Sequence, residues 1–194
     1  MIRTLFYRVK EIVFKIGADW DKSALNENNA HEYAEKHINK EPKRTLPGNH
    51  NKYTMEYCLA HSAESINERF RQNRADDIDN QIAEMMNTHT TDADLILYRG
   101  VNDYVYKLMV ANANGIKGTD LLEKGFLCTS LVKGHELNYN KKLRIFVPAG
   151  SKVVYMGNVN YEPNFYEVDI QKDASLKIVS IGKDYINCRL LKTA

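Results

Sequence analysis

Apolar positions recur with two different periods along the chain, and the change falls near residue 94. Before it the spacing is helical. Ile2, Leu5, Phe6, Val9, Ile12, Val13 and Ile16 form one stripe, the pattern of an amphipathic helix, and Gly17 supplies a stop signal. The stripe predicts a helix docked on its own domain. An interfacial membrane helix and a partner-binding helix are the other two uses of such a face. A more polar helix over residues 31–39 is marked by Tyr33, Ala34 and Ile38. The stretch from Glu41-Pro42 to Pro47-Gly48-Asn49 breaks the pattern and reads as a loop. A long helix over residues 51–71 carries Tyr53, Tyr57, Cys58, Ala60, Ile66 and Phe70. Another over residues 76–87 turns Ile78, Ile82, Met85 and Met86 inward.

After Asp94 the chain reads as strands. Leu95-Ile96-Leu97-Tyr98 is a short apolar run, closed by Arg99-Gly100. A helical or irregular piece over residues 104–113 follows. Gly125-Phe126-Leu127-Cys128-Thr129-Ser130 is a strand after a turn, and Leu143-Arg144-Ile145-Phe146-Val147 alternates before the turn Pro148-Ala149-Gly150. Residues 153–155, 165–170, 176–181 and 185–191 supply further strands. Helices first and strands afterwards indicate an α+β fold. No internal repeat or low-complexity tract interrupts this order.

Composition narrows the class. A chain of 194 residues, 43% of them apolar, fits one globular domain with a substantial core. The 27 basic and 25 acidic residues nearly cancel, to a net charge of +2. A dedicated nucleic-acid binder would carry a basic excess, so no nucleic-acid partner is expected. Cys58, Cys128 and Cys188 are odd in number and widely spaced, which gives neither a metal motif nor a disulfide framework. No run of about 18 apolar residues predicts a membrane span. Arg8, Lys10, Glu11 and Lys15 interrupt the first segment, so no signal peptide is expected in this chain.

Three short elements carry candidate chemistry. In Leu97-Tyr98-Arg99-Gly100 an arginine closes an apolar strand, where its fork of donors suits phosphate oxygens. On its own such an arginine is equally an ordinary surface residue. Thr129 and Ser130 end a strand with hydroxyls that can bond a neighbouring carboxylate or backbone. In Phe165-Tyr166-Glu167-Val168-Asp169-Ile170, alternation sends Tyr166, Val168 and Ile170 to the core. Glu167 and Asp169 then face solvent or a cleft.

Taken in order, these elements resemble the Arg–Ser–Glu mono-ADP-ribosyltransferases, in particular the bacterial exoenzyme-like toxins. Supporting segments fall in place around them. Tyr53-Thr54 and Ile66-Asn67-Glu68-Arg69-Phe70-Arg71 resemble the family's Tyr-Thr pair and Ile-Asn-x-x-Leu-Arg helix. Lys124-Gly125-Phe126 precedes the Ser-Thr-Ser strand. Val147-Pro148-Ala149-Gly150-Ser151-Lys152, followed by Tyr155, resembles the Val-Pro-x-Gly-x-Lys hairpin. Glu167-Val168 and Leu176-Lys177-Ile178 resemble the closing strands. The resemblance spans residues 51–191.

The resemblance implies an α+β fold of two perpendicularly packed antiparallel sheets forming an NAD cleft, flanked by N-terminal helices. It implies a helical extension over residues 1–48 packed on a catalytic domain over residues 49–194. The implied activity is transfer of ADP-ribose from NAD to a side chain of a target protein, with release of nicotinamide. An NAD glycohydrolase using water and a catalytically silent NAD-binding or interaction domain are the alternatives. NAD is the substrate and no metal is needed. Glu167 is the implied catalytic residue, assisted by Arg99, Thr129 and Ser130. Arg71, Asn67, Tyr53, Arg99, Gly100, Phe126, Cys128 and Thr129 are the implied cofactor-binding set. Phe165, Glu162 and Tyr161 fall on the target-recognition loop. The implied partner is a host or competitor protein, met by a monomer that is secreted or delivered into a target cell and acts in its cytosol.

Two positions depart from the family pattern. Cys128 stands where the first serine of Ser-Thr-Ser contacts the catalytic glutamate, and a thiol is a weaker donor. Phe165 stands two residues before Glu167, where relatives carry Glu or Gln to engage the acceptor. A phenyl ring does neither, so the acceptor side chain is not readable from the motif. Glu162 and Asn164 are the nearby polar substitutes.

Overall fold

The computed structural model describes residues 2–13, 20, 25–38, 45–113, 118–157 and 163–194. Helices occupy the first half, as the spacing predicts, and their starts are set by side-chain caps. The third helix, α3 (Met55–Arg71), follows α1 (Ile2–Val13) and α2 (Ala30–His37). It begins after Thr54, whose hydroxyl accepts the Tyr57 amide at 3.0 Å, and not at residue 51. The next helix, α4 (Asp77–Met86), opens with a capping box in which Asp76 and Asp79 each accept the other's amide. The last, α5 (Asp103–Asn112), is capped by Asn102.

Among the described residues the second half holds eight strands: β1 (Leu95–Val101), which precedes α5, then β2 (Leu121–Glu123), β3 (Leu127–Ser130), β4 (Lys141–Val147), β5 (Val153–Tyr155), β6 (Glu167–Ile170), β7 (Ala174–Ile181) and β8 (Ile186–Lys192). Their order is β2-β7-β8-β4-β1-β3-β6-β5. Neighbours run antiparallel except β4 and β8, which are parallel. β1 pairs with β4 along its whole length, and β3 pairs with β6 from end to end. Between β1 and β3 a single pair, Tyr98 with Ser130, holds the ladder together. The architecture is thus a five-stranded and a three-stranded sheet meeting at one seam, the α+β class that the sequence predicts.

Two large clusters form the core. Leu97, Leu143, Ile145, Val168, Ile170 and Ile178 pack with Ala30, Ala34 and Ile38 of the α2 segment. Leu59, Ile66 and Phe70 of α3 pack with Ile82 and Met86 of α4 against Phe126 and Val154. The inward face of α3 is therefore Met55, Leu59, Ile66 and Phe70. Tyr53, Tyr57 and His61 stack on one another instead, with Tyr57 exposed.

Helix α1 departs from the expected stripe. It packs on β7, but Val9, Ile12 and Val13 are exposed, Ile12 to 77%. Lys10 is the buried residue: its ammonium donates to the carbonyls of Ile178 at 3.0 Å and Ala113 at 3.3 Å. Those two carbonyls reward a donor more than another methyl group would, so Lys10 and not Val9, Ile12 or Val13 meets the sheet. Ile16 and Gly17 lie outside the described residues. Beside Lys10, the buried Lys177 donates to Asp120 at 2.8 Å, and the Ile178 amide fills the other Asp120 oxygen at 2.7 Å. Burial, then the neighbouring Lys177, pulls the Lys10 pKa below its usual value.

Removing one partner of a buried pair is far costlier than its net contribution. Asp120→Ala deprives two buried ammonium groups of their carboxylate neighbour. It should lower the urea-unfolding free energy by about 3–5 kcal/mol; a loss under about 1 kcal/mol would show that the cluster does not anchor the fold.

Candidate active site

The seam between the sheets opens into a cleft of about 420 Å3, within the size range of ligand sites. Arg99, Gly100, Cys128, Thr129, Ser130, Phe165 and Glu167 all line it. Residues up to 68 positions apart thus share one cavity, and each arrives there for a local reason.

β1 delivers Arg99. Its neighbour Tyr98 is fully buried and meets Tyr185 edge-on at 5.7 Å, which sends the next side chain to the opposite face. The guanidinium donates to the carbonyl of Cys128 across the seam. Gly100 is required by a close approach. A Cβ there would stand 2.0 Å from the carbonyl oxygen of Leu137 and 2.9 Å from the Tyr139 ring. That loop, residues 133–140, forms one cleft wall through His135, Glu136 and Leu137. Glu136 holds it down: its buried carboxylate meets Lys142 at 2.7 Å, the Tyr185 hydroxyl at 3.0 Å and the Gly134 amide at 2.8 Å. Burial alone would raise the Glu136 pKa, but Lys142 and the backbone amides outweigh it and hold the carboxyl below its usual range.

β3 and β6 deliver the carboxylates. Ser130 opposes Glu167, and Cys128 opposes Asp169, so these four share one face. Thr129 points the other way and ties the strands together, its hydroxyl donating to the Val168 carbonyl at 2.6 Å. The Ser130 hydroxyl donates to the Val132 carbonyl at 2.9 Å and accepts the Val132 amide at 3.2 Å. Just before Glu167 the chain takes a left-handed residue, Tyr166, at φ 45°. Its carbonyl accepts the Leu131 amide at 2.9 Å, and the Glu167 carbonyl accepts the Met156 amide at 2.8 Å. His135 braces the preceding 3-10 turn, Pro163–Phe165. It bonds the Asn164 carbonyl, meets the Tyr166 ring edge-on at 5.1 Å and pairs with Glu27 at 2.8 Å. Phe165 sits half-exposed at the cleft edge.

Asp169 is more deeply placed than alternation suggests. Its carboxylate is 1% exposed, and neither oxygen has a hydrogen bond of ordinary geometry. Burial pushes its pKa up to about 6, against the opposing pull of the adjacent Cys128 thiol and Arg99. Burial likewise pushes the Cys128 thiol well above its usual value, with Asp169 adding to the shift.

Four residues expected around the cofactor lie off the cleft wall. Arg71 forms a two-pronged pair with Glu123, at 3.0 and 3.2 Å. Glu123 lies 52 positions away on the short strand β2, which sequence periodicity does not reveal. Phe126 is fully buried and meets Phe70 edge-on. Tyr53 packs against the α3–α4 cluster. Asn67 stands behind the wall and organises it: its side-chain oxygen accepts the Phe126 amide at 2.7 Å, and its amide reaches Cys128 Sγ at 3.9 Å. A Cβ at Gly125 would lie 2.6 Å from that oxygen and 2.9 Å from the Asn67 Cα, so the glycine lets α3 approach the strand. Tyr161 and Glu162 lie outside the described residues.

Sequence reasoning missed Ala60, Glu64, His135, Glu136 and Leu137 as cleft residues. Ala60 and Glu64 are one helical turn apart, and that spacing was a usable signal. The loop residues carry no periodicity from which their place could be read.

A replacement at Asp169 tests the electrostatics. A buried carboxylate whose neighbouring donor is a weak thiol costs stability that an apolar group of similar size does not. Asp169→Leu should therefore raise the unfolding free energy by about 1–3 kcal/mol in buffer containing EDTA. A destabilised variant would mean that the carboxylate is satisfied in solution.

A family model of ADP-ribosyltransferase exoenzymes matches residues 25–191. No curated protein matches. Among solved structures, Plx2a, an ADP-ribosyltransferase toxin from Paenibacillus larvae, is 20% identical. The match covers 87% of this chain and 98% of that one, with a TM-score of 0.66. The Clostridium limosum C3 exoenzyme is 20% identical over 86% of this chain and 95% of its own, at 0.63. C3stau2 from S. aureus, solved with NAD, is 17% identical over 71% and 85%, at 0.56. At these identities the structures establish likeness of fold.

Proposed function

The chain belongs to the ADP-ribosyltransferase exoenzyme family and is an NAD-dependent mono-ADP-ribosyltransferase, and on that premise we propose that Glu167 is its catalytic carboxylate. NAD is the substrate: its ADP-ribose passes to a side chain of a target protein and nicotinamide leaves. The observation that carries the residue assignment is the register of Ser130 with Glu167, on the face of the seam that also receives Arg99.

The chemistry follows from charge. The bond between ribose C1′ and nicotinamide breaks with its electron pair going to the ring, and positive charge grows on the ribose. The Glu167 carboxylate, fixed beside that ribose, stabilises the growing charge. Arg99 offers its donors to the pyrophosphate. Thr129 and Ser130 hold β3 and its turn in register, and so keep Glu167 in place. The acceptor atom of the target then bonds to C1′ and gives up its proton.

The cleft fits this substrate in three respects: its volume, a guanidinium for phosphate oxygens and a carboxylate for the ribose. Gly100 and Cys128 form its floor, with Asn67 bracing Cys128 from behind and Thr129 tying the strand from the buried side. Arg71 joins the phosphate site only by exchanging Glu123 for NAD. The sulfur of Cys128 gives Glu167 a weaker donor than a serine would.

The target is a host or competitor protein, met by a monomer delivered into the target cell and acting in its cytosol. Delivery into host cells is general for this toxin family. Among the described residues no helix is long and apolar enough to cross a membrane. Residues 1–48 form an extension packed on a catalytic domain of residues 49–194, a reading supported by the contacts of Ala30 and Ala34 with the sheet core. Phe165, at the mouth of the cleft, meets the incoming target as an aromatic anchor.

Two variants test these roles. Glu167→Gln keeps the volume and removes the charge, so nicotinamide release should fall about 10²–10³-fold with the melting temperature unchanged. An unaltered rate would remove Glu167 from the mechanism. Phe165→Ala should depress ADP-ribose transfer to protein in a lysate while leaving NAD hydrolysis by water nearly intact. If both activities fall together, Phe165 is a wall of the NAD site and not a target contact.

A further inference from the structure

The cleft floor carries an arrangement that ADP-ribose transfer does not require. Cys128 Sγ, a carboxylate oxygen of Glu167 and a carboxylate oxygen of Asp169 all lie within 4.8 Å of one another. Strand register brings them together: Cys128 opposes Asp169, and Glu167 lies two residues before Asp169 on the same face of β6.

Asp169 is the member that needs an explanation. Three other buried acids meet a cation, Asp79 with Arg69, Asp120 with Lys177 and Glu136 with Lys142, while buried Glu56 leaves one oxygen without a partner. Asp169 is as deeply buried, yet no nitrogen or oxygen donor meets its oxygens, and the donor beside them is the weak Cys128 thiol. They stand beside a thiol and a second carboxylate. Buried charges are found paired or coordinating metal ions, and the cluster supplies no cation of its own to Asp169 at bonding distance.

The donor set selects the ion. Calcium and magnesium take oxygen ligands, whereas a thiolate with carboxylates suits zinc. Zinc places sulfur at about 2.3 Å and carboxylate oxygens at about 2.0 Å in a tetrahedron. Ligand atoms in such a tetrahedron are about 3.5 Å apart, so the three groups need to close by about 1 Å. The site forms only if side-chain rotations supply that closure. Cys128 and Glu167 line the cleft, and the ion enters from that side with one coordination position left facing it.

We propose that Cys128, Glu167 and Asp169 form a zinc-binding site on the floor of the cleft, and that zinc bound there switches the transferase off. The site itself stands on the three side chains alone. Its inhibitory effect rests on the role proposed above for Glu167, because zinc engages the same carboxylate. It also sets positive charge where the reaction must develop positive charge. Binding displaces the thiol proton to solvent, since the ligand is the thiolate.

The test uses the full chain freed of metal with EDTA and then dialysed. Cobalt(II), as a spectroscopic substitute, should give a thiolate-to-metal charge-transfer band at one equivalent, and zinc should displace it. Cys128→Ser should abolish the band. Asp169→Asn should weaken zinc binding at least about tenfold, as loss of a supporting partner already does at metal sites. In the wild type, zinc should raise the apparent KM for NAD in a nicotinamide-release assay, and Asp169→Asn should shift that inhibition by the same factor as the binding. The absence of a thiolate band overturns the site, as does zinc affinity unchanged in both variants, which would place the ion on surface histidines. Binding as described without competition against NAD overturns the inhibitory role. If the metal-free wild type releases no nicotinamide at all, the reading of Glu167 fails, while the cobalt band still decides the metal site.

Discussion

One backbone pair, Tyr98 with Ser130, joins two sheets that are otherwise separately paired, and the cleft exists because that junction is so narrow. On one side β1 is fixed by seven residue pairs with β4. On the other, β3 is fixed by four pairs with β6. The strands diverge immediately beyond the shared pair, and the side chains at the divergence are Arg99 and Glu167. A slip of β6 by one residue against β3 would move Glu167 and Asp169 to the face opposite Cys128 and Ser130. The Thr129 hydroxyl, donating to the Val168 carbonyl in the buried layer, opposes such a slip. The two motif glycines act on the same junction. Gly100 lets the 133–140 loop lie over β1, and Gly125 lets α3 and Asn67 reach the start of β3.

Polar groups inside the protein are handled in two ways. Away from the cleft many are satisfied, although Trp20, Glu56 and His89 each bury a polar atom without a hydrogen-bond partner. Lys10 fills two carbonyls, Asp120 takes Lys177 and a backbone amide, and Gln171 donates to the Ala83 carbonyl. In the cleft the accounting is left open. Asp169 is buried with the weak Cys128 thiol as the donor beside it, and Tyr166 holds a left-handed backbone immediately before Glu167. Local costs of this kind concentrate where a ligand is to be met. The rest of the fold offsets them through its two apolar clusters and the caps at Thr54, Asp76 and Asn102.

Much of this was legible in the sequence, and the reasons for the exceptions are specific. Short apolar runs marked the strands that build the seam, and alternation in residues 165–170 put Val168 and Ile170 inside and Glu167 on the cleft. The strand read over residues 165–170, β6, begins only at Glu167 because Tyr166 breaks the extended backbone. β2 was not legible: three half-buried or exposed residues carry no period, and with β2 went the partner of Arg71. The face of α1 was misread because two carbonyls made a lysine the better docking residue than a valine or isoleucine. The wall formed by His135, Glu136 and Leu137 depends on contacts with Lys142, Tyr185 and Asn164. Contacts of that range leave no trace in local spacing.

The account stands on Arg99 and Glu167 flanking a single NAD molecule at the seam. A crystal structure of the protein with NAD tests that most directly. It should place the pyrophosphate against the Arg99 guanidinium and the ribose that bears nicotinamide within hydrogen-bonding distance of the Glu167 carboxylate. NAD bound elsewhere, such as in the lysine-lined hollow of Lys141, Lys142, Lys183 and Tyr185, or bound at the seam with its nicotinamide ribose turned away from Glu167, would contradict it.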